Sequence, residues 1–406
     1  MRVAIYENLP LGGALRASYE IGRQLLARGH EIDLYRLSTY ADKGSFDLAP
    51  LVRRVRVANY APLFGRLDAR LRGGHLAPRS YTLFGPLRHL HRRLAEQIRG
   101  GSYDAILVHP DAMTHSPYLL RWLGELPSVY YCQEPPRHGS EIAVREAHKS
   151  RLRESLGPVG AIRLLEDRFV LDRLIREDAE NVAHCDAIVV NSIYSRERAW
   201  ATYARNALVC YLGIDPVLFA PALGQVSPRR EVLSVGAPVA AKNHELVARA
   251  LARLPREIRP PLRVVLPRAG ATDSLERVAR EGGVELTIET GLDDSAMAER
   301  YQQALTTVCA ARLEPFGLTA VEAMACGTPV VAIREGGFRE SVADGRTGIL
   351  VDPDPECLSA AIGRLAGDPG LVRRMAVAAR ETAVRDWSWE RTGARMEEIL
   401  QVAAAR

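Results

Sequence analysis

Short apolar runs ending in polar residues alternate with amphipathic segments over the first half of this chain, and the alternation then starts again. The first run, RVAIYE, leads through the turn NLPLGGALR into ASYEIGRQLLARG and on to HEIDLYRL. A parallel neighbour in a sheet requires a crossover, and a helix supplies it, so this is the signature of a parallel α/β sheet. YDAILVH (103–109), SVYYCQ (128–133) and CDAIVVNS (185–192) continue the series. Periodicity lapses in LGIDPVLFAPALGQVSPRR (212–230), where Gly and Pro accumulate. EVLSVGA, LRVVLP, VELTIE, TTVCAA and PVVAI then form a second series. At 406 residues the chain exceeds one typical core. Two α/β domains are expected, residues 1–217 and 218–385. An amphipathic helix over 386–406 follows, with Ile399 and Val402 on one stripe. In open parallel sheets ligands gather beyond the carboxyl ends of the strands, so the polar residues ending these runs are the first candidates for a site.

The composition, 47% apolar and 25% charged, is that of a folded globular protein. No run approaches the ~20 apolar residues of a membrane span. The opening MRVAIYENLP turns polar too soon for a secretory leader. Six cysteines (132, 185, 210, 309, 326, 357) include no C-x-x-C pair. They read as buried thiols of a reducing compartment, and a cytoplasmic location is expected. The net charge of +5 conceals an asymmetry: residues 50–100 hold eleven Arg, no Lys and only Asp68 and Glu96 as acids, a local +9. Such an excess attracts anionic partners. No recognisable nucleic-acid module accompanies it, so nucleic acid is not expected as a partner. Within it, LFGPLRHLHRRLAEQIRGG (83–101) carries the stripe Leu83, Leu87, Leu90, Leu94 and Ile98, with Arg88, Arg92, Arg93 and Arg99 elsewhere on the wheel. This fits a helix lying on an anionic membrane at its inner face. A helix packed on the core with a solvated basic face fits as well and is the preferred reading.

The stretch RLEPFGLTAVEAMACGTPVVA (312–332) places Glu314 in a Pro/Gly turn and Glu322 in an Ala-rich run. Ala, Leu, Met and Glu favour helix, and Gly327 is placed to cap its C-terminus. The helix start offers amides and a positive dipole end to a phosphate. Glu322 lies one to one and a half turns inside, on the order of 6–9 Å along the axis. A ligand draped over this start meets a carboxylate at each end, and carboxylates accept sugar or ribose hydroxyls well. Two glutamates alone are also compatible with an ordinary acidic helix face.

EPFGLTAVEAMACGTPVVA resembles the E-x7-E signature of the retaining GT-B glycosyltransferases of group 1, the GT4-like family. SVGAPVAAKNHELVARAL (234–251) is similar to that family's phosphate-binding strand-loop-helix, and GGFRESVADGRTGILVDP (336–353) to its usual sequel. LGIDPVLFAP resembles the interdomain linker, DWSW (386–389) the start of the terminal helix, and GGALRASYEIGRQLLARGHEIDLY the first loop and helix. The resemblance spans nearly the whole chain in order. It implies a GT-B fold: two Rossmann-like domains with parallel sheets facing a central cleft, and a C-terminal helix crossing back to the N-domain. The N-domain would serve the acceptor and the C-domain the nucleotide-sugar donor.

The family's roles carry over residue by residue. Glu314 would hold hydroxyls of the transferred sugar, and the amides of Phe316, Gly317 and Leu318 sugar and diphosphate oxygens. Glu322 would clasp the nucleotide ribose, and Lys242 would neutralise the departing diphosphate. Gly12 and Gly13 would let the first loop approach the donor, with Arg16 at the following helix start. No metal or other cofactor is expected, although DPD (352–354) imitates a metal motif. The expected donor is a UDP- or GDP-hexose, and the acceptor a sugar, a lipid-linked group or a small molecule. Two positions depart from the pattern. Ala237 stands where the family has a second diphosphate-binding arginine, and Arg268 and Arg312 are the candidates to replace it. Gln133 stands where the family has a histidine near the reacting sugar, and glutamine cannot shuttle a proton near neutral pH. His109 and His138 are the nearby candidate histidines, and Glu314, Gln133 and His109 are the expected catalytic residues. These departures keep two alternatives open, an epimerase or hydrolase on the same scaffold and a nucleotide-sugar-binding protein with impaired catalysis.

Overall fold

The computed structural model describes residues 1–40, 42–60, 84–136, 160–222 and 230–405. The chain divides into two compact units. The first holds Met1–Asn191, Ser195–Cys210 and Gly393–Arg406, and the second Ser192–Tyr194 and Tyr211–Thr392.

Unit 1 is built on seven parallel strands: β1 (Arg2–Asn8), β2 (Glu31–Leu37), β3 (Arg54–Ala58), β4 (Ala105–Asp111), β5 (Ser128–Tyr131), β6 (Ala187–Val190) and β7 (Ala207–Val209). Their order is β3-β2-β1-β4-β5-β6-β7. Its helices are α1 (Gly13–Ala27), α2 (Gly85–Arg99), α3 (Gly160–Ala183) and α4 (Ile193–Tyr203), the last beginning in residues of unit 2. Val3, Ala4, Ile5 and Tyr6 of β1 are all fully buried, as are Ala105 to Val108 of β4. A parallel sheet covered on both faces requires such unbroken apolar runs, which is why these strands are plain in the sequence. The edge strand β3, RVRVA, alternates Arg and Val and is largely exposed. Sequence patterning folded it into the basic stretch, yet charge along an edge strand is a usual guard against unwanted pairing.

In α2 the residues Leu87, Leu94 and Ile98 are buried in the unit 1 core and Leu90 packs against it. The apolar stripe is therefore committed to the fold, which leaves no apolar face of this helix for a bilayer. Arg88, Arg92, Arg93 and Arg99 are exposed on the outer face. Leu83 and much of the Arg-rich 50–100 stretch lie outside the described residues.

Unit 2 has six parallel strands, β8 (Glu231–Val235), β9 (Leu262–Leu266), β10 (Leu286–Thr290), β11 (Ala304–Cys309), β12 (Val330–Ile333) and β13 (Gly348–Val351), in the order β10-β9-β8-β11-β12-β13. Between and after them run α5 (His244–Ala252), α6 (Asp273–Glu281), α7 (Asp294–Gln303), α8 (Leu318–Ala325), α9 (Phe338–Ser341), α10 (Pro355–Gly367), α11 (Pro369–Asp386) and α12 (Trp389–Ala404). The first four residues of α12 belong to unit 2 and the remainder to unit 1. Its buried face is Met396, Ile399, Leu400 and Ala403, whereas Val402 is half exposed. The stripe expected through Val402 is thus rotated by one residue.

Each sheet reverses its direction of growth beside its first strand, between β1 and β4 in unit 1 and between β8 and β11 in unit 2. Loops leaving two such strands diverge to opposite faces and open a crevice at their carboxyl ends. α8 ends as its sequence suggests. Gly327, at φ 67°, follows the last turn. Its N–H bonds Met324 O, and Thr328 N–H bonds Ala323 O, the paired bonds of a Schellman cap. In the DPD triplet, the Asp354 carboxylate accepts from the amides of Glu356 and Cys357 and so caps α10. Cys132, Cys185, Cys210, Cys309 and Cys326 are buried free thiols and Cys357 is exposed. Among the described residues no helix is long and apolar enough to cross a membrane.

Candidate active site

In unit 2 the loops that leave β8 and β11 meet at the switch point. β8 pairs with β11, which sets their carboxyl ends side by side. The β8 loop winds through a short 3-10 turn at Ala240–Lys242, and Asn243 takes a left-handed conformation before α5. Arg312 N–H from the β11 loop bonds Ala241 O at 3.0 Å and holds the two loops together. Directly beside that bond, Lys242 Nζ donates to Glu314 Oε2 at 2.6 Å. The ammonium and the carboxylate expected to grip a donor are thus each other's partners here. Both side chains retain access to solvent, at 31% and 20%.

The Glu-Pro-Phe-Gly turn is shaped by contact with the Gly-Gly-Phe segment that follows β12. Gly337 N–H bonds Glu314 O at 2.8 Å. Gly336 sits at φ +59°, and a Cβ there would lie 2.3 Å from Glu314 O. Gly317 caps the start of α8 at φ +89°, and a Cβ there would lie 2.3 Å from the Phe338 ring. Such backbone is open to glycine and strained for other residues. Phe316 is buried, its ring 5.5 Å from that of Trp387 and 6.2 Å from that of Tyr211. The first amides of α8, beginning with Leu318, lack partners within the helix, as at any helix start, and no side chain caps them.

Glu322 is the fifth of the eight residues of α8 and is nearly buried. Tyr301, at the end of α7, donates its hydroxyl to Glu322 Oε2 at 2.8 Å. Burial, and then the Glu322 charge, hold the Tyr301 phenol well above its ordinary pKa, so it remains a donor. Of the two candidates to replace the missing arginine, Arg312 is paired with Glu335 at 2.7 Å and Arg268 is exposed beyond β9.

In unit 1, Gly12 and Gly13 lead directly into α1, and Arg16 N–H closes its first turn on Gly12 O. The Arg16 guanidinium lies 5.5 Å from the centre of the Phe46 ring. Gln133, just beyond β5, donates its amide to Ala14 O at 3.0 Å and thereby joins the β5 loop to the start of α1. His109 lies fully buried in β4, edge-on to Tyr131. Neither ring nitrogen has a hydrogen-bond partner among the described residues, and burial pushes its pKa down to about 3. It is a neutral core ring and not an exposed loop histidine. His138 lies outside the described residues.

Two features escaped the sequence reading. One is Tyr301. The other is a buried cluster at the ends of β1 and β4. Tyr6 Oη donates to Asp111 Oδ2 at 2.7 Å and lies 2.7 Å from His91 Nε2. Asn8 Nδ2 adds a bond to the same carboxylate oxygen. His91 Nδ1 accepts from Tyr118 N–H, so its proton sits on Nε2 and points at Tyr6. A signal existed for His91: it stands four residues after Leu87 and three before Leu94, on the apolar stripe of α2.

Residues 220–382 match the family model described as glycosyl transferases group 1. The chain is also 29% identical to a D-inositol 3-phosphate glycosyltransferase of Nocardiopsis dassonvillei, over 95% of this chain and 88% of that protein. Segment 220–382 of this chain is a group 1 glycosyltransferase domain. This glycosyltransferase is likewise 29% identical to a GDP-mannose-dependent alpha-(1-6)-phosphatidylinositol monomannoside mannosyltransferase of Mycolicibacterium smegmatis, over 65% of this chain and 71% of that one. Its fold is similar to that of sucrose-phosphate synthase from Thermosynechococcus elongatus, with a TM-score of 0.77 at 20% identity over the full length of both. The two parallel sheets are those of the GT-B fold. Lys242, Glu314, Phe316, Gly317, Leu318 and Glu322 all fall inside the matched segment, and the unit 1 candidates fall outside it.

Proposed function

We propose that this glycosyltransferase moves a hexosyl group from a UDP- or GDP-hexose to an acceptor hydroxyl with retention at the anomeric carbon. The observation that carries the reading is the Lys242–Glu314 pair at the switch point, beside the uncapped start of α8 with Glu322 farther along the same helix. A diphosphate at the helix start competes with Glu314 for the ammonium. Glu314 is then released to accept hydroxyls of the sugar, while Lys242 and the amides of Phe316, Gly317 and Leu318 face the phosphates. Glu322 takes the ribose hydroxyls. The bond from the anomeric carbon to the phosphate oxygen breaks as the acceptor oxygen bonds the same carbon on the same face. The acceptor proton passes to the leaving phosphate, so Gln133 need not act as a base. The charge that develops on the leaving group is stabilised by Lys242 and by the dipole of α8. Gly12, Gly13 and Arg16 are assigned to the donor side of the first loop.

The mannosyltransferase relative is named for GDP-mannose, which puts GDP-mannose first among the donors to test, with UDP-hexoses beside it. The same relative is named for a phosphatidylinositol glycolipid, so lipid-linked acceptors belong in the trial with free sugars and small polyols. Among the described residues, contact with an anionic membrane would rest on the exposed guanidinium groups of α2 and β3 and should weaken with salt.

A panel of UDP- and GDP-sugars in thermal-shift measurements tests the donor assignment. A ligand at a hundred times its Kd stabilises by about 2.7 kcal/mol, well within detection. Glu322→Ala is expected to abolish the shift given by the matching nucleotide, and an unchanged shift would overturn the ribose assignment. Ala237 and Gln133 favour one second reading, a nucleotide-sugar binder of impaired catalysis. It predicts donor binding with no turnover on any acceptor, whereas an epimerase or hydrolase would consume the donor without one.

A further inference from the structure

Glu322 differs from Glu314 in its support. Glu314 is held by a cation that substrate can displace, whereas Glu322 is held by a neutral donor inside the fold. Tyr301 is fully buried, and its hydroxyl bonds Glu322 Oε2 at 2.8 Å. Three contacts fix the tyrosine itself. Its carbonyl accepts from Thr328 Oγ1 at 2.5 Å, just past the cap of α8. Its ring lies 6.1 Å from that of Phe219. Its main chain lies in the last turn of α7, which packs against α8.

A glutamate side chain has three rotatable bonds, and on an open helix it samples several rotamers. A carboxylate that must meet two vicinal hydroxyls gains from being held in one of them before the ligand arrives. Tyr301 supplies that restraint at no cost in charge. An arginine or lysine in its place would neutralise Glu322 and compete with the hydroxyls. A phenol bonds one oxygen and leaves the group an anion.

We infer that Tyr301 is a positioning residue for nucleoside recognition: it fixes the Glu322 carboxylate in the orientation that distinguishes a ribose from a sugar lacking its hydroxyls. The inference rests on the ribose assignment of Glu322, and its test separates the two. Titration calorimetry on the full chain compares UDP and GDP with their 2′,3′-dideoxy counterparts for wild type, Tyr301→Phe and Glu322→Gln.

The preference for the ribonucleotide over its dideoxy form is expected to fall about tenfold in Tyr301→Phe, the scale of a lost hydrogen bond to a charged group. Affinity for the dideoxy form is expected to stay as in wild type. Tyr301→His keeps a ring and an N–H donor, and is expected to recover part of the preference. If Tyr301→Phe retains the wild-type preference while Glu322→Gln loses it, the positioning role is wrong and the ribose assignment stands. If Glu322→Gln also retains it, the ribose assignment itself fails. An equal loss of both nucleotide forms in Tyr301→Phe would mark a merely structural tyrosine and overturn the inference. Should Tyr301→Phe not fold, Tyr301→His decides alone, because its shorter reach to Glu322 lowers the preference only if that bond sets it.

Discussion

Lys242 Nζ and Glu314 Oε2 stand 2.6 Å apart although 72 residues separate them, because β8 and β11 are neighbours at the point where the sheet of unit 2 reverses. The pair is partly open to water, and ion pairs of that kind contribute at most about 1 kcal/mol to stability. Its place in the fold is better explained by what it can exchange for.

Lys242→Met is therefore expected to leave the melting temperature within a few degrees of wild type. Turnover of the sugar nucleotide should fall by on the order of a hundredfold, as when one stabilising donor is removed from a transition state. Steady-state kinetics beside a melting curve check both halves. A large loss of stability with unchanged turnover would make the pair structural.

Gly336→Ala places a methyl 2.3 Å from Glu314 O in a left-handed backbone. The strain is expected to destabilise unit 2 by about 1–3 kcal/mol. Because the clash falls on the residue that carries the carboxylate, donor binding should weaken as well. Urea titration and a nucleotide thermal shift read the two effects separately, and a change under 0.5 kcal/mol in the first would contradict the geometry.

His109 should give stability a pH dependence of known sign. Burial lowers its pKa from 6.5 to about 3, so between those values the unfolded chain binds a proton that the folded one refuses. Its contribution is fully present above pH 6.5 and is lost as the pH falls, by about 1.4 kcal/mol per unit in the limit. His109→Leu removes the titrating group and should flatten the stability profile between pH 6.5 and 5 relative to wild type. Parallel profiles would disprove a neutral buried ring.

Tyr6→Phe deletes the hydroxyl that links His91 to Asp111 and strands polar atoms in a dry interior. A cost of about 1–3 kcal/mol is expected. Denaturant titration measures it. The double variant Tyr6→Phe/His91→Leu should cost less than the sum of the two single changes, since the partners are removed together.

The parts of the fold that sequence revealed are those where burial is complete. β1 and β4 carry unbroken apolar runs, β8 and β11 interrupt theirs only with buried Ser234 and with buried Thr306 and Thr307, and the turns that leave these strands carry the Gly and Pro that mark a break. The edge strands β3 and β13 were harder to see, since RVRVA follows its charge and GILV is only four residues long. At the site, the spacing of Glu314 and Glu322 and their glycine-bounded helix were legible, while the roles given to them rest on the family resemblance. Their partners came from elsewhere in the chain. No local pattern tells that Lys242 will reach Glu314 across 72 residues, or that Tyr301 will serve Glu322 from the preceding helix. Those pairings follow from strand order. His91 was passed over for a different reason, because a histidine among the leucines of an apolar stripe, flanked by Arg88, Arg92 and Arg93, carries no mark of its buried partners.

The seat that Gly336 and Gly337 form beneath Glu314 makes two motifs, some twenty residues apart, into a single object. Neither can be transplanted alone. A chimera that imports the glutamate turn from a relative while keeping its own Gly-Gly-Phe inherits a lock without its key. Efforts to change donor choice by exchanging short segments should move 312–338 as one block.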